Sequence, residues 1–279
     1  MVVEQAVESG RSRSAGRGIA RAAGWWRDSV GEPLLSVLFP PRCVGCRDFE
    51  TYLCPSCRGT LVAVGPGGCP RCGEPGPQPL VAGRCSHCIS ADFSYSGARS
   101  AFRHQGAARQ LVAEFKFGGQ PVLGRLMADL ARPAFTEYLS SIGPRDRILV
   151  TWVPSHRAAR RERGYNQAEV LARALAAGPL PWTVADLVEK TAATRHQKEL
   201  GRAGRQSNLR GAFTMRQSGY AGPAAGLATG YEAVVLVDDV YTTGATAQEV
   251  SSVLVRGTGL PVHVFTFSRA VGGKVEGHD

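Results

Sequence analysis

From residue 95 onward, short apolar runs alternate with stretches in which apolar residues recur at helical spacing. Arg147–Val153 (RILVTWV) and Ala233–Val237 are nearly continuous in apolar character, as expected of strands covered on both faces. Tyr95–Phe102 alternates like a strand, and Val262–Phe267 closes the series as another. Between them, Gly106–Phe117 (GAARQLVAEFKF) carries a helical apolar face. Asn166–Ala177 predicts a further helix, capped by Asn166 with Glu169 at the third position and stopped by Gly178-Pro179. Thr246–Arg256 predicts a third, with Thr246 and Glu249 as its capping box. Strands and helices in alternation give the α/β class, with a mostly parallel, doubly wound sheet flanked by helices.

The pattern differs before residue 95. Residues 1–18 are polar and without periodicity, the composition of a disordered segment. Ile19, Ala22, Ala23 and Trp26 fall at helical spacing, and Gly31-Glu32-Pro33 interrupts that helix. Such a helix packs on the body of the protein, or reaches a membrane or partner through Trp25 and Trp26. Residues 40–90 are rich in Gly and Pro and contain all eight cysteines. The expected division is an extension at 1–33, a small Cys-rich module at 34–92 and an α/β domain at 93–279. Residues 216–230 read as a surface loop.

The cysteines come as four CxxC pairs: Cys43/Cys46, Cys54/Cys57, Cys69/Cys72 and Cys85/Cys88. Each pair puts two thiolates on one tight knuckle, and four knuckles make two tetrahedral four-cysteine sites for structural zinc. Sequential pairing is favoured over interleaved pairing. Redox chemistry at the CxxC pairs is the alternative. His87 lies inside the last knuckle, but Cys88 makes it unnecessary as a ligand. A module this small needs metal, or an equivalent staple, to fold.

Formal net charge is +10. It favours anionic partners such as phosphate-bearing metabolites, nucleic acid or an anionic membrane, without choosing among them. No run approaches the roughly 20 apolar residues of a membrane span, and the first residues lack a signal-peptide core. A cytoplasmic location is therefore expected.

The most informative string is VVLVDDVYTTGAT, residues 234–246. An apolar strand is expected to end in Asp238-Asp239 at the sheet's carboxyl edge, where open α/β folds hold ligands. Adjacent carboxylates there need compensation, from ribose hydroxyls, magnesium or arginines. Thr242, Thr243, Gly244, Ala245 and Thr246 then lead into a helix, whose first amides and dipole favour a phosphate. A ribose 5-phosphate fits a diol-binding acidic half beside a phosphate-binding half. The bland alternative is a strand–turn–helix whose Thr and Asp only cap.

This string resembles the phosphoribosyl pyrophosphate (PRPP) signature of type I phosphoribosyltransferases. Other segments narrow the resemblance to the ComF family, associated with competence and DNA uptake: the Cys-rich start after LLSVLFPPRCVGC, EFKFGG at 114–119, VPSHRAARRERGYNQAEVLA at 153–172 and TRHQKELGRAGRQSNLRGAF at 194–213. The resemblance covers about 34–270. It implies a type I phosphoribosyltransferase-like sheet preceded by a double zinc ribbon. It also implies a Mg-dependent transfer of the phosphoribosyl group from PRPP to a nucleobase or amine, with Asp238 and Asp239 at the catalytic centre. Single-stranded DNA handling with DNA-import proteins, or PRPP sensing without turnover, are the rival readings.

Two basic segments complete the picture. Arg157, Arg160, Arg161 and Arg163 follow the strand 147–153, where the resemblance places pyrophosphate, and guanidinium forks suit its oxygens. A solvated helix face is the alternative. His156 is read as a hydrogen-bonding residue rather than a base, and Asn166 as a cap. Residues 190–210, with Lys198, Arg202 and Arg205, stand where such enzymes have a closing lid. A nucleic-acid contact or an ordinary loop would show the same composition. Phe115 and Phe117 are read as core before base-stacking residues, and Lys116 as able to reach a phosphate.

Overall fold

The computed structural model describes residues 40–76, 81, 83–89, 91–143, 147–177, 182–191, 211–216 and 230–271. The expectations for residues 1–39, for the lid residues Lys198, Arg202 and Arg205, and for most of the loop 216–230 lie outside them. The chain forms two compact units, Met1–Cys54 and Pro55–Asp279. In the first, the Cys43 amide donates to Asp48 (2.7 Å) and the Arg47 amide to Cys43 (2.9 Å), closing a knuckle. Arg42 lies over the Phe49 ring, 4.1 Å from its centroid.

The second unit is built on a five-stranded sheet in the order β1-β7-β6-β2-β3. Its strands are β1 (Gly97–Arg103), β2 (Ile148–Trp152), β3 (Thr183–Val184), β6 (Ala233–Tyr241) and β7 (Val262–Arg269), and every pairing is parallel. A separate antiparallel ladder joins β4 (Val188–Lys190) to β5 (Phe213–Met215). Two short helices, α1 (Pro55–Gly59) and α2 (Ser86–Ile89), belong to the Cys-rich region. The larger helices are α3 (Gly106–Phe117), α4 (Val122–Ile142), α5 (Arg157–Arg163), α6 (Gln167–Ala176) and α7 (Ala245–Thr258). The expected α/β class and mostly parallel sheet are what the structure has.

The apolar strands behave as their composition requires. Every residue of β2 is buried, as are Ala233–Val237 of β6. Phe135 of α4 packs edge-on against Phe265 of β7 and Trp182, with centroids 5.0 and 5.3 Å apart. Gly124 sits where α4 meets its neighbours: a Cβ there would lie 2.5 Å from Val170 and 2.9 Å from Phe115, which only glycine avoids. Arg132 donates to the carbonyls of Ala174 and Leu175 (3.0 and 2.8 Å), satisfying the open end of α6. The outer edge of β1 is paired as well. The Arg103 amide donates to Val62 (2.8 Å) and the Val64 amide to Ala101 (3.0 Å), so residues 62–64 run antiparallel along that edge.

Asn166 caps α6 as expected, accepting from the Ala168 amide at 3.1 Å. Two local expectations are corrected. β6 does not end at Asp238-Asp239 but continues to Tyr241, because β7 extends with it and pairs Val240 with Ser268 and Tyr241 with Arg269. Thr246 does not cap α7, since the helix starts one residue earlier with Gly244 as N-cap at φ 79°. The nearest side-chain contact comes from Thr243, whose hydroxyl accepts from the Ala245 amide at 3.4 Å.

Candidate functional site

The carboxyl edge of β6 brings the acidic pair and the glycine loop together. Asp238, Tyr241, Thr242, Gly244, Ala245 and Thr246 line one small pocket with Val240, Ala247 and Thr266. Asp239 is buried, and its amide donates to the Asp238 carboxylate at 2.9 Å. Lys116, near the end of α3, places its Nζ 3.0 Å from Asp239 Oδ2. Burial, then the neighbouring Asp239 charge, pushes the Asp238 pKa up to about 7, with Lys116 pulling the other way. For Lys116 itself, burial opposes the charge, but Asp239 and Asp238 outweigh it and its pKa stands above the ordinary lysine value. Once Asp238 ionises, the site therefore carries excess negative charge that one lysine only partly offsets.

Lys116 is the residue whose place the chain pattern does not give. The EFKFGG segment pointed to a phosphate contact, whereas the structure pairs Lys116 with Asp239, 123 positions away in sequence. Phe115, its neighbour, is fully buried, in keeping with a core role, whereas Phe117 is 76% exposed.

The floor of the glycine loop is aromatic. A Cβ on Gly244 would lie 2.4 Å from Tyr241 Oη and 3.2 Å from Tyr95 Oη. The two hydroxyls are bonded to each other at 2.6 Å. Positive φ and this close approach together make glycine the fitting residue.

The arginine segment follows β2, as expected, but forms the short helix α5. His156 caps it, with Nδ1 accepting from the Ala158 amide at 3.2 Å, which matches its reading as a hydrogen-bonding residue. Arg157, Arg160 and Arg161 are exposed. Arg160 lies 3.6 Å from Glu169, and Arg163 lies over the Phe117 ring at 5.4 Å. Ser155, where the loop leaves β2, has a buried hydroxyl without a hydrogen-bond partner among the described residues.

The cysteines assemble in sequential order. The sulfurs of Cys43, Cys46, Cys54 and Cys57 lie within 4.8 Å of one another, and those of Cys69, Cys72, Cys85 and Cys88 do likewise. A tetrahedral zinc with bonds of about 2.3 Å sets its sulfurs roughly 3.8 Å apart. The observed Cys46–Cys54, Cys72–Cys85 and Cys69–Cys88 separations are 3.7, 3.7 and 3.9 Å. Both sets therefore fit zinc, and four thiolates leave no open coordination position. The second set is entirely buried.

Among the described residues, no helix is long and apolar enough to cross a membrane. The double zinc ribbon domain family matches residues 34–89. Competence protein F of Haemophilus influenzae is 27% identical over 218 residues, covering 76% of this chain and 90% of that protein. The DNA utilization protein YhgH of Salmonella typhimurium is 28% identical over 206 residues, or 73% of this chain and 84% of the relative. Competence protein ComFC of Streptococcus pneumoniae is 25% identical over 242 residues, spanning 86% and 97% of the two chains. The ribbon at one end and such relatives aligned along most of its length together support a ComF family protein.

Proposed function

We propose that this protein binds PRPP with Mg2+ and transfers the phosphoribosyl group to a nitrogen acceptor, releasing pyrophosphate, in the service of DNA uptake. The observation that carries this reading is the pocket at the end of β6, where Asp238 and a glycine-cornered helix start lie side by side. Asp238 and Asp239 hold the ribose hydroxyls. The amides and hydroxyls of Thr242–Thr246 take the 5-phosphate at the start of α7, where the helix dipole favours an anion. Arg157, Arg160, Arg161 and Arg163 take the pyrophosphate, and the basic residues Lys198, Arg202 and Arg205 are the further candidates to neutralise it.

The adjacent carboxylates suit a hard cation with oxygen ligands, which would offset both the burial and the Asp239 charge that raise the Asp238 pKa. Bound Mg2+ would supply positive charge to the departing pyrophosphate. In the transfer, the ribose C1–oxygen bond to pyrophosphate breaks, the nitrogen–C1 bond forms and the nitrogen's proton passes to solvent. The chain's own contribution is electrostatic: carboxylates beside a cation-like ribosyl centre and guanidinium groups around the leaving group.

Calorimetric titration with PRPP, with and without Mg2+, tests the reading. Binding is expected to be lost in Asp239→Ala, and pyrophosphate release is expected with one member of a nucleobase and amine panel. PRPP binding without release from any acceptor would leave a sensor in place of an enzyme.

A second reading rests on the relatives' names, which speak of competence and DNA utilisation, and on the net charge of +10. In it, the basic segments hold single-stranded DNA during import. Salt-sensitive binding weakened by changing Arg202 and Arg205 supports it, and binding indifferent to both changes removes it.

A further inference from the structure

We infer that the second cysteine cluster holds the phosphate loop in its binding shape, acting through the positioning residue Arg269. The functional half of this inference rests on the proposed phosphate-binding role of residues 242–246.

Arg269 ends β7 opposite Tyr241, the last residue of β6. It is buried, and its guanidinium faces both ways. On one side it donates to the Cys72 carbonyl and to the Glu74 carboxylate, with Nε–Oε2 at 2.9 Å, and stands 3.7 Å from the Cys72 sulfur. On the other it lies over the Tyr241 ring, 4.4 Å from the centroid. The Tyr241 hydroxyl meets that of Tyr95 at 2.6 Å, directly beneath Gly244. One buried cation thus links a metal knuckle to the floor of the phosphate loop.

A second route runs in parallel. Arg71, between Cys69 and Cys72, donates to the carbonyls of Phe93 and Ser96. Phe93 stacks on Tyr95 at 4.8 Å. Between those aromatics, the Ser94 amide donates to Gln248 of α7 at 2.6 Å, and Gln248 returns a bond to the Ser94 hydroxyl at 3.0 Å. The start of α7, which carries the phosphate-facing amides, is therefore tied to the same knuckle.

Charge explains why an arginine stands there. A zinc ion with four thiolates carries a formal charge of about −2. The Arg269 cation answers that charge and the Glu74 carboxylate at once. Loss of zinc removes the tie between the four sulfurs and opens the knuckle that presents the Cys72 carbonyl. Arg269 then loses its fixed partners, and with them the geometry that holds Tyr241 under Gly244.

The test is amide hydrogen exchange over residues 241–247 in the full chain, read beside zinc content and PRPP affinity. Arg269→Lys keeps the charge but not the fork. With zinc retained, this variant is expected to exchange faster across the loop and bind PRPP about tenfold more weakly, the scale of a lost charge-assisted bond. Chelation of zinc is expected to speed exchange at 69–88 and at 241–247 together, while residues 233–237 keep their protection. Loop exchange unchanged by chelation, or by Arg269→Lys, overturns the inference. So does an unaltered PRPP affinity in a variant whose loop has loosened. Should Arg269→Lys fail to fold, Glu74→Gln and Tyr95→Phe carry the same expectations, and wild-type loop exchange in both overturns it. Failure of the wild-type chain to bind PRPP would refute the proposed function, and the functional half with it. The exchange data would still decide whether the knuckle holds the loop.

Discussion

Asp238 and Lys116 define the chemistry of the site at the scale of single residues. An ordinary carboxylate is ionised above about pH 4, whereas burial and the Asp239 charge hold Asp238 protonated up to about 7. Between those values the folded state keeps a proton that the unfolded chain has released. The Asp238 contribution to stability therefore falls as pH rises through that window. A ligand that needs the ionised carboxylate shows the opposite trend. PRPP–Mg affinity is expected to rise with pH and level off above about 7, and Asp238→Asn should bind more weakly with a flatter profile. Lys116→Met should move the plateau to higher pH, since Lys116 lowers the Asp238 pKa. Calorimetry across that range, with Asp238→Asn correcting for titration of PRPP itself, checks both outcomes. The acid pair was legible in the chain because a charge doublet after an apolar strand is rare without compensation. The compensating lysine was not, because its partner lies on another element and only the folded packing of α3 joins them.

Elements divide along similar lines. β2, the apolar part of β6, β7, α3 and α6 follow from apolar patterning, and Asn166 caps α6 as its residue type suggests. Removing that cap in Asn166→Ala is expected to cost about 1 kcal/mol, read as a lower urea midpoint at unchanged slope. Asn166 also donates to the Val153 carbonyl at 3.1 Å, which ties α6 to the exit of β2. Asn166→Asp keeps the cap but lacks that donor, and should fall between the two. Other elements leave little trace. The helix α4 runs through Pro133, with Met127, Ala131 and Phe135 buried along one face. β3, β4 and β5 have two or three residues each, too few to show a period. The Thr246 capping box matched in composition but failed in register, since the αL turn at Gly244 starts α7 a residue earlier.

At the scale of the whole molecule, spacing named the four knuckles, because a CxxC pair is local, and favoured the sequential sets that the fold assembles. What it did not reveal is how the polypeptide around the knuckles serves the sheet. Residues 62–64 run along β1 and occupy hydrogen-bonding groups that a terminal strand would otherwise offer to any passing chain. A fragment cut to 93–279 would keep every strand of the sheet and lose that cover. Unsheltered edges recruit strands from other molecules. The fragment is expected to scatter light and grow with protein concentration, while the intact chain stays monodisperse under the same conditions. On that outcome the Cys-rich region would also be a guard against self-association, keeping a protein built around a parallel sheet from pairing through its β1 edge.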